Sequence, residues 1–79
     1  MEDQGGGVLD VRAVPPGRRE DTVVERFLAL APGESFTLVS DQDPRTLRAR
    51  LAMDHSEAFH WDVLQPGSPI WRVRVERVS

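Results

Sequence analysis

Cysteine is absent from this chain, which excludes a disulfide framework, a thiolate zinc site, a persulfide carrier and a cysteine nucleophile together. Lysine is absent as well. All 10 cationic residues are arginine, whose planar fork of donors suits anion recognition but assigns no function by itself. The longest wholly apolar run, Phe27 to Ala31, falls far short of the roughly 18 residues that suggest a membrane span. No signal-peptide core precedes it, so a cytoplasmic location is expected. A concentrated basic surface is also missing. Thirteen acidic residues against 10 basic ones leave a net charge of −3, so nucleic acid is an unlikely partner, because phosphate contact needs clustered cations.

What is present fits one small folded domain. The 79 residues are 39% hydrophobic and 29% charged, enough for one thin core. A chain of this size buries only about 60% of the surface its unfolded form exposes, so a monomer or weak homodimer is expected. Residues 1–7 end in three glycines and have nothing to bury; they are expected as a flexible leader, with 8–79 forming the domain.

The apolar pattern sets out six elements. Val8 to Arg12 alternates, with Leu9 and Val11 on one face, and Pro15-Pro16 stops the strand because proline offers no amide hydrogen. Arg18 to Ala31 places Val23, Val24, Phe27, Leu28 and Leu30 at helical spacing until Pro32-Gly33 ends it. Glu34 to Ser40 is a second strand, apolar on one face and partly so on the other. Asp43 then reads as an N-cap, with Pro44 at the first position of a helix that runs to about His55. Ala58 to Leu64 and Ile70 to Val78 form a hairpin around Pro66-Gly67. Setting Leu64 opposite Ile70 pairs Phe59 with Val75, Trp61 with Val73 and Val63 with Trp71 on the core side. It leaves Asp62 opposite Arg72, His60 opposite Arg74 and Ala58 opposite Glu76 on a solvated side. The resulting class is α+β: a β-α-β-α-β-β two-layer sandwich, its four-stranded mixed sheet carrying both helices on one face.

Leu9-Asp-Val-Arg12 with Pro15-Pro16, Glu25-Arg26-Phe27, Leu30 to Glu34, Asp41-x-Asp-Pro44 and Trp71-Arg-Val-Arg74 together resemble the domain of unknown function 2249 family. That family in turn resembles the TusA and SirA sulfur-carrier proteins, which have the same β-α-β-α-β-β order. The carrier chemistry does not transfer. Those proteins place a Cys-Pro-x-Pro motif before the first helix, where this chain has Pro15-Pro16-Gly17. Members of the resembled family often carry histidine at the start of the first helix and in an Asp-His-Asp-Pro stretch; the aligned positions here are Glu20 and Gln42. The resemblance implies an accessory role in a bacterial redox or metabolic setting, with a protein partner such as a redox or hemerythrin-like protein.

Parallel neighbouring strands bring the N-termini of both helices to one sheet edge, where converging amides favour a small anion or a partner's acidic group. Arg12, Arg18, Arg19, Gln42, Asp43 and Arg45 are the ligand-binding or partner-contact residues this predicts. Asp41, Asp43, Glu20 and Asp21 crowd the same edge and oppose an anion. His55 and His60 lack metal-ligand spacing, and no serine stands with a base, so no metal, cofactor or catalytic residue is expected. The outer sheet face, with Arg12, His60, Arg72 and Arg74, is the surface left for RNA, as in the similarly folded C-terminal domain of translation initiation factor three. Asp10, Asp62 and Glu76 interleave there.

Overall fold

The computed structural model describes residues 5–79. In chain order the elements are β1 (Gly5–Asp10), α1 (Arg19–Leu28), β2 (Ser35–Ser40), α2 (Arg45–His55), β3 (Phe59–Gln65) and β4 (Trp71–Arg77). Two short 3-10 turns, Val11–Ala13 and Pro16–Arg18, lead from β1 into α1. The strands lie in the order β1-β2-β4-β3. β1 runs parallel to β2, while β4 runs antiparallel to both β2 and β3, so the sheet is mixed.

One face of that sheet is apolar by alternation and both helices cover it. Leu9, Phe36, Leu38, Val73 and Val75 from the strands meet Val23 and Phe27 of α1 and Leu47 and Leu51 of α2 in one buried cluster. Phe59 and Trp61 pack on its flank, with the Phe59 ring edge-on to both Phe27 and Trp61. The α+β two-layer sandwich expected from the pattern is the architecture found.

Several boundaries differ from expectation. Gly5–Gly7, expected in the leader, form the first half of β1, with Gly5 paired to Ser35. The ladder shifts register between Gly5 and Val8, and Gly7 adopts a φ of 64° that a side chain would resist. Residues 1–4 of the expected leader lie outside the described residues. β1 also stops at Asp10 rather than Arg12, because the Asp10 carboxylate accepts the Arg12 amide at 3.0 Å and turns the chain. Val11 is nevertheless fully buried. α1 ends at Leu28, short of Ala31; Leu30 reaches the core from beyond the helix, and Gly33 makes the return turn with a φ of 93°. Pro44, not Asp43, occupies the N-cap of α2, although Asp43 still accepts the Arg45 amide at 3.0 Å.

The hairpin register is two residues away from the expected one. Phe59 pairs with Arg77, Trp61 with Val75 and Val63 with Val73; a bulge follows, and Gln65 pairs with Arg72. An even shift keeps Phe59 and Trp61 on the face that packs against the core, but Val63, expected in the core, is 51% exposed. Leu64 and Ile70 do not pair. The bulge lengthens the loop, which folds against Trp71 so closely that a Cβ on Gly67 would strike the indole. Trp71 accordingly sits opposite Ser40 of β2, half-buried, instead of opposite Val63 in the core.

Candidate functional site

The C-terminal ends of β1 and β2 open onto the starts of α1 and α2, and a cleft lies between them. Pro16, Arg19 and Glu20 form one wall; Ser40, Gln42, Asp43, Thr46 and Leu47 form the other. Its volume of ≈ 80 Å³ equals two or three waters at about 30 Å³ each, or one small oxyanion, and is well below the roughly 300 Å³ of sites for larger ligands.

Three of the six residues chosen from sequence reach this cleft: Arg19, Gln42 and Asp43. Arg12, Arg18 and Arg45 are absent from its lining. Arg12 folds back on Asp10 with a two-pronged contact, Nε to Oδ1 at 2.8 Å and Nη2 to Oδ2 at 2.6 Å. That hydrogen bonding lowers the Asp10 carboxyl from its ordinary 3.8 to about 2, with the Arg72 charge assisting, and holds the Arg12 guanidinium protonated more firmly. Arg45 is exposed and pairs with Asp43 at 3.0 Å. Arg18 closes a 3-10 turn, and its carbonyl accepts the Thr22 hydroxyl.

Arg19 has a bracing role. Its side chain is only 13% exposed; Nε donates to the Val14 carbonyl at 2.9 Å and Nη1 meets Asp41 Oδ1 at 3.3 Å, tying the β1–α1 connection to the β2–α2 connection. Ser40, not among the six residues chosen from sequence, is buried in the cleft wall. Its hydroxyl donates to the Gln42 carbonyl at 2.7 Å and accepts the Gln42 amide at 3.1 Å. The hydroxyl is thereby engaged in holding the turn, with no neighbouring base. Glu20 lines the cleft with Gln42, so the two positions set apart by the family resemblance share one cavity. Glu20 also approaches Arg50 of α2 at 3.6 Å, beside the Asp21–Arg50 pair at 3.1 Å. The side-chain amide of Gln42 has no hydrogen bond to another described residue, which leaves it as the donor available to a small ligand.

No cluster of three or more metal-ligating side chains occurs among the described residues. The His55 ring lies 5.4 Å from the Phe27 ring, tilted by 46°, while His60 lies on the outer sheet face 3.7 Å from Glu76. The rows of that face alternate in charge. Asp10, Val39, Arg72 and Gln65 form one row; Thr37, Arg74 and Asp62 form the next. Val39 is buried there, outside the main cluster, between Asp10 and Arg72. A second surface is apolar: at the hairpin end of β3, Val63 and Leu64 are 51% and 55% exposed.

A family profile described as "Uncharacterized conserved protein (DUF2249)" matches residues 8–77. The chain belongs to this family. A search of curated proteins finds no match for this DUF2249 chain. Among solved structures it is similar to the solution structure of HP1264 from Helicobacter pylori, with a TM-score of 0.75 over 91% of this chain and 97% of that one. Identity is 15%, so the likeness is one of fold. Among the described residues of the DUF2249 chain, no helix is long and apolar enough to cross a membrane.

Proposed function

We propose that this DUF2249 chain is a noncatalytic accessory module, TusA-like in fold, that contacts another protein in a cytoplasmic redox or metabolic setting. The contact surface is the hairpin end of the sheet. The observation that carries this reading is the pair Val63 and Leu64, adjacent in sequence and both half exposed at the hairpin end of the edge strand β3. The cleft supports it from the other side: Ser40, Arg19 and Asp43 are engaged in turns and braces, and no reactive set remains. The family's resemblance to carrier proteins, and the redox or hemerythrin-like partner which that resemblance implies, supply the setting.

Capture from host lysate by the wild-type chain, Leu64→Glu and Gln42→Ala, with mass-spectrometric identification, tests the reading. A redox or hemerythrin-like protein retained by wild type and Gln42→Ala and lost with Leu64→Glu supports it. Capture indifferent to Leu64→Glu, or abolished by Gln42→Ala alone, overturns it.

The second reading is a small anion held in the cleft by Gln42 and the amides at the start of α2, with Arg19 and Asp43 shaping the walls. The volume of ≈ 80 Å³ favours it. Titration calorimetry with phosphate and sulfate decides: heat together with amide shifts at Gln42 to Arg45 supports the anion, and silence in both removes it.

A further inference from the structure

We propose that β3 pairs with β3 of a second copy of this chain, antiparallel and centred on Trp61, so that two sheets join into one of eight strands. This rests on the reading of β3 as a contact strand and gives its Phe59–Val63 edge to a second copy, leaving the hairpin end at Leu64 to the other protein.

The backbone phase comes first. Val78 donates its amide to the Ala58 carbonyl at 2.8 Å, and Arg77 uses its amide and carbonyl toward β2, on Glu34 and Gly33. In an antiparallel ladder the paired and unpaired residues alternate. His60 and Asp62 therefore turn their amides and carbonyls toward β4, while Phe59, Trp61 and Val63 turn theirs to the free edge. No strand lies beyond β3 among the described residues, so those groups form a ready ladder.

The side chains then select the register. With Trp61 opposite Trp61 of the second copy, Phe59 falls opposite Val63 and Val63 opposite Phe59, and all three carry outward-facing backbone groups. On the other face His60 stands opposite Asp62, twice by symmetry, so an imidazole N–H meets a carboxylate at both ends. Moving the axis to Asp62 sets two carboxylates face to face. Moving it to His60 sets two imidazoles together and shortens the overlap. A shift to an axis between residues breaks the hydrogen-bond phase. Among axes at His60, Trp61 and Asp62, the Trp61-centred one alone satisfies backbone phase and charge together, and it covers Val63. His60 is 73% exposed at its side chain and its neighbour on β4, Glu76, is 3.7 Å away, so the imidazole is free to face the second copy as well. The regular part of the edge ends at the bulge after Val63. So short an interface gives a weak dimer, with a dissociation constant of about 10 μM to 1 mM.

Sedimentation equilibrium of the purified chain tests this, using wild type, His60→Asp, Asp62→His and the double exchange, each checked for fold by its thermal melt. The wild type is expected to dimerise. His60→Asp, which sets carboxylate against carboxylate twice, weakens the dimer by about tenfold or more. The double exchange restores it to within about threefold of wild type. A wild type that stays monomeric up to ~1 mM, a dimer indifferent to His60→Asp, or a folded double exchange that fails to recover overturns the proposal. These results separate from those of the lysate experiment: a monomeric chain that still captures a protein through Leu64 removes only the self-pairing. Capture indifferent to Leu64→Glu removes the accessory reading instead.

Discussion

Replacing Arg77 with alanine tests how α1 is held to the sheet. Arg77 Nη1 donates to the carbonyls of Leu30 at 2.8 Å and Leu28 at 3.3 Å, and its guanidinium carbon lies 5.5 Å from the centre of the Phe27 ring. These carbonyls lie at the C-terminal end of α1, where the helix leaves acceptors without partners and concentrates negative potential. The Leu30 bond is part-buried and charge-assisted, a class whose loss costs about 1.5–3 kcal/mol. The longer, exposed Leu28 bond adds little, and the ring contact adds about 0.5–1 kcal/mol. Arg77→Ala should therefore destabilise the fold by about 2–4 kcal/mol. For a domain of this size each kcal/mol lowers Tm by roughly 4–8 °C, so a drop of about 8–32 °C is expected by calorimetry. Arg77→Lys keeps the charge but lacks the fork and should recover less than half of the loss. A loss below about 0.5 kcal/mol for Arg77→Ala, the range of an unremarkable surface change, would refute the clamp.

Three further perturbations follow from the same geometry. Because the Asp10 carboxyl titrates near 2 in the fold against 3.8 ordinarily, its contribution is complete above pH 3.8 and is lost as pH falls toward 2. Asp10→Asn should flatten that part of the Tm-against-pH curve, and an unchanged slope would assign it to other groups. Gly67→Ala drives a Cβ into the Trp71 ring; it should cost about 1–3 kcal/mol and shift tryptophan emission, read together in a urea titration. Leu51 is fully buried where α2 meets the sheet, so Leu51→Ala should cost about 2–5 kcal/mol by chemical denaturation, and a smaller effect would show that the site collapses.

The element order was legible because each segment keeps one period. Val23 and Phe27 repeat as a helix does, while Phe36 and Leu38, or Val73 and Val75, alternate as a strand does. The hairpin register was not legible, because a bulge after Val63 leaves no trace in alternation and two registers that differ by two residues bury the same face. That Arg19, Gln42 and Asp43 line one cleft was legible since parallel βα units bring their loops together. That Arg12, Arg18 and Arg45 do not line it was not legible, because residue type states charge but not direction; Arg12 turns to Asp10 and Arg45 to Asp43. Ser40 was missed as a small polar residue at a strand end. Arg77 carried a signal that went unread: it follows Trp71, Val73 and Val75 at every second position, so an arginine on that face requires acceptors, and the end of α1 provides them.

The position of β4 bears on how the chain can fold as it is made. β4 is the last strand in sequence, yet it lies between β2 and β3. A nascent chain that has emerged only through β3 can pair β1 with β2, but β3 has no neighbour and the places of Val73 and Val75 beside Leu38 and Phe36 are empty. The core therefore closes only once β4 is in place, and a fragment that stops before Trp71 leaves both β3 and the apolar face of β2 without their partner strand.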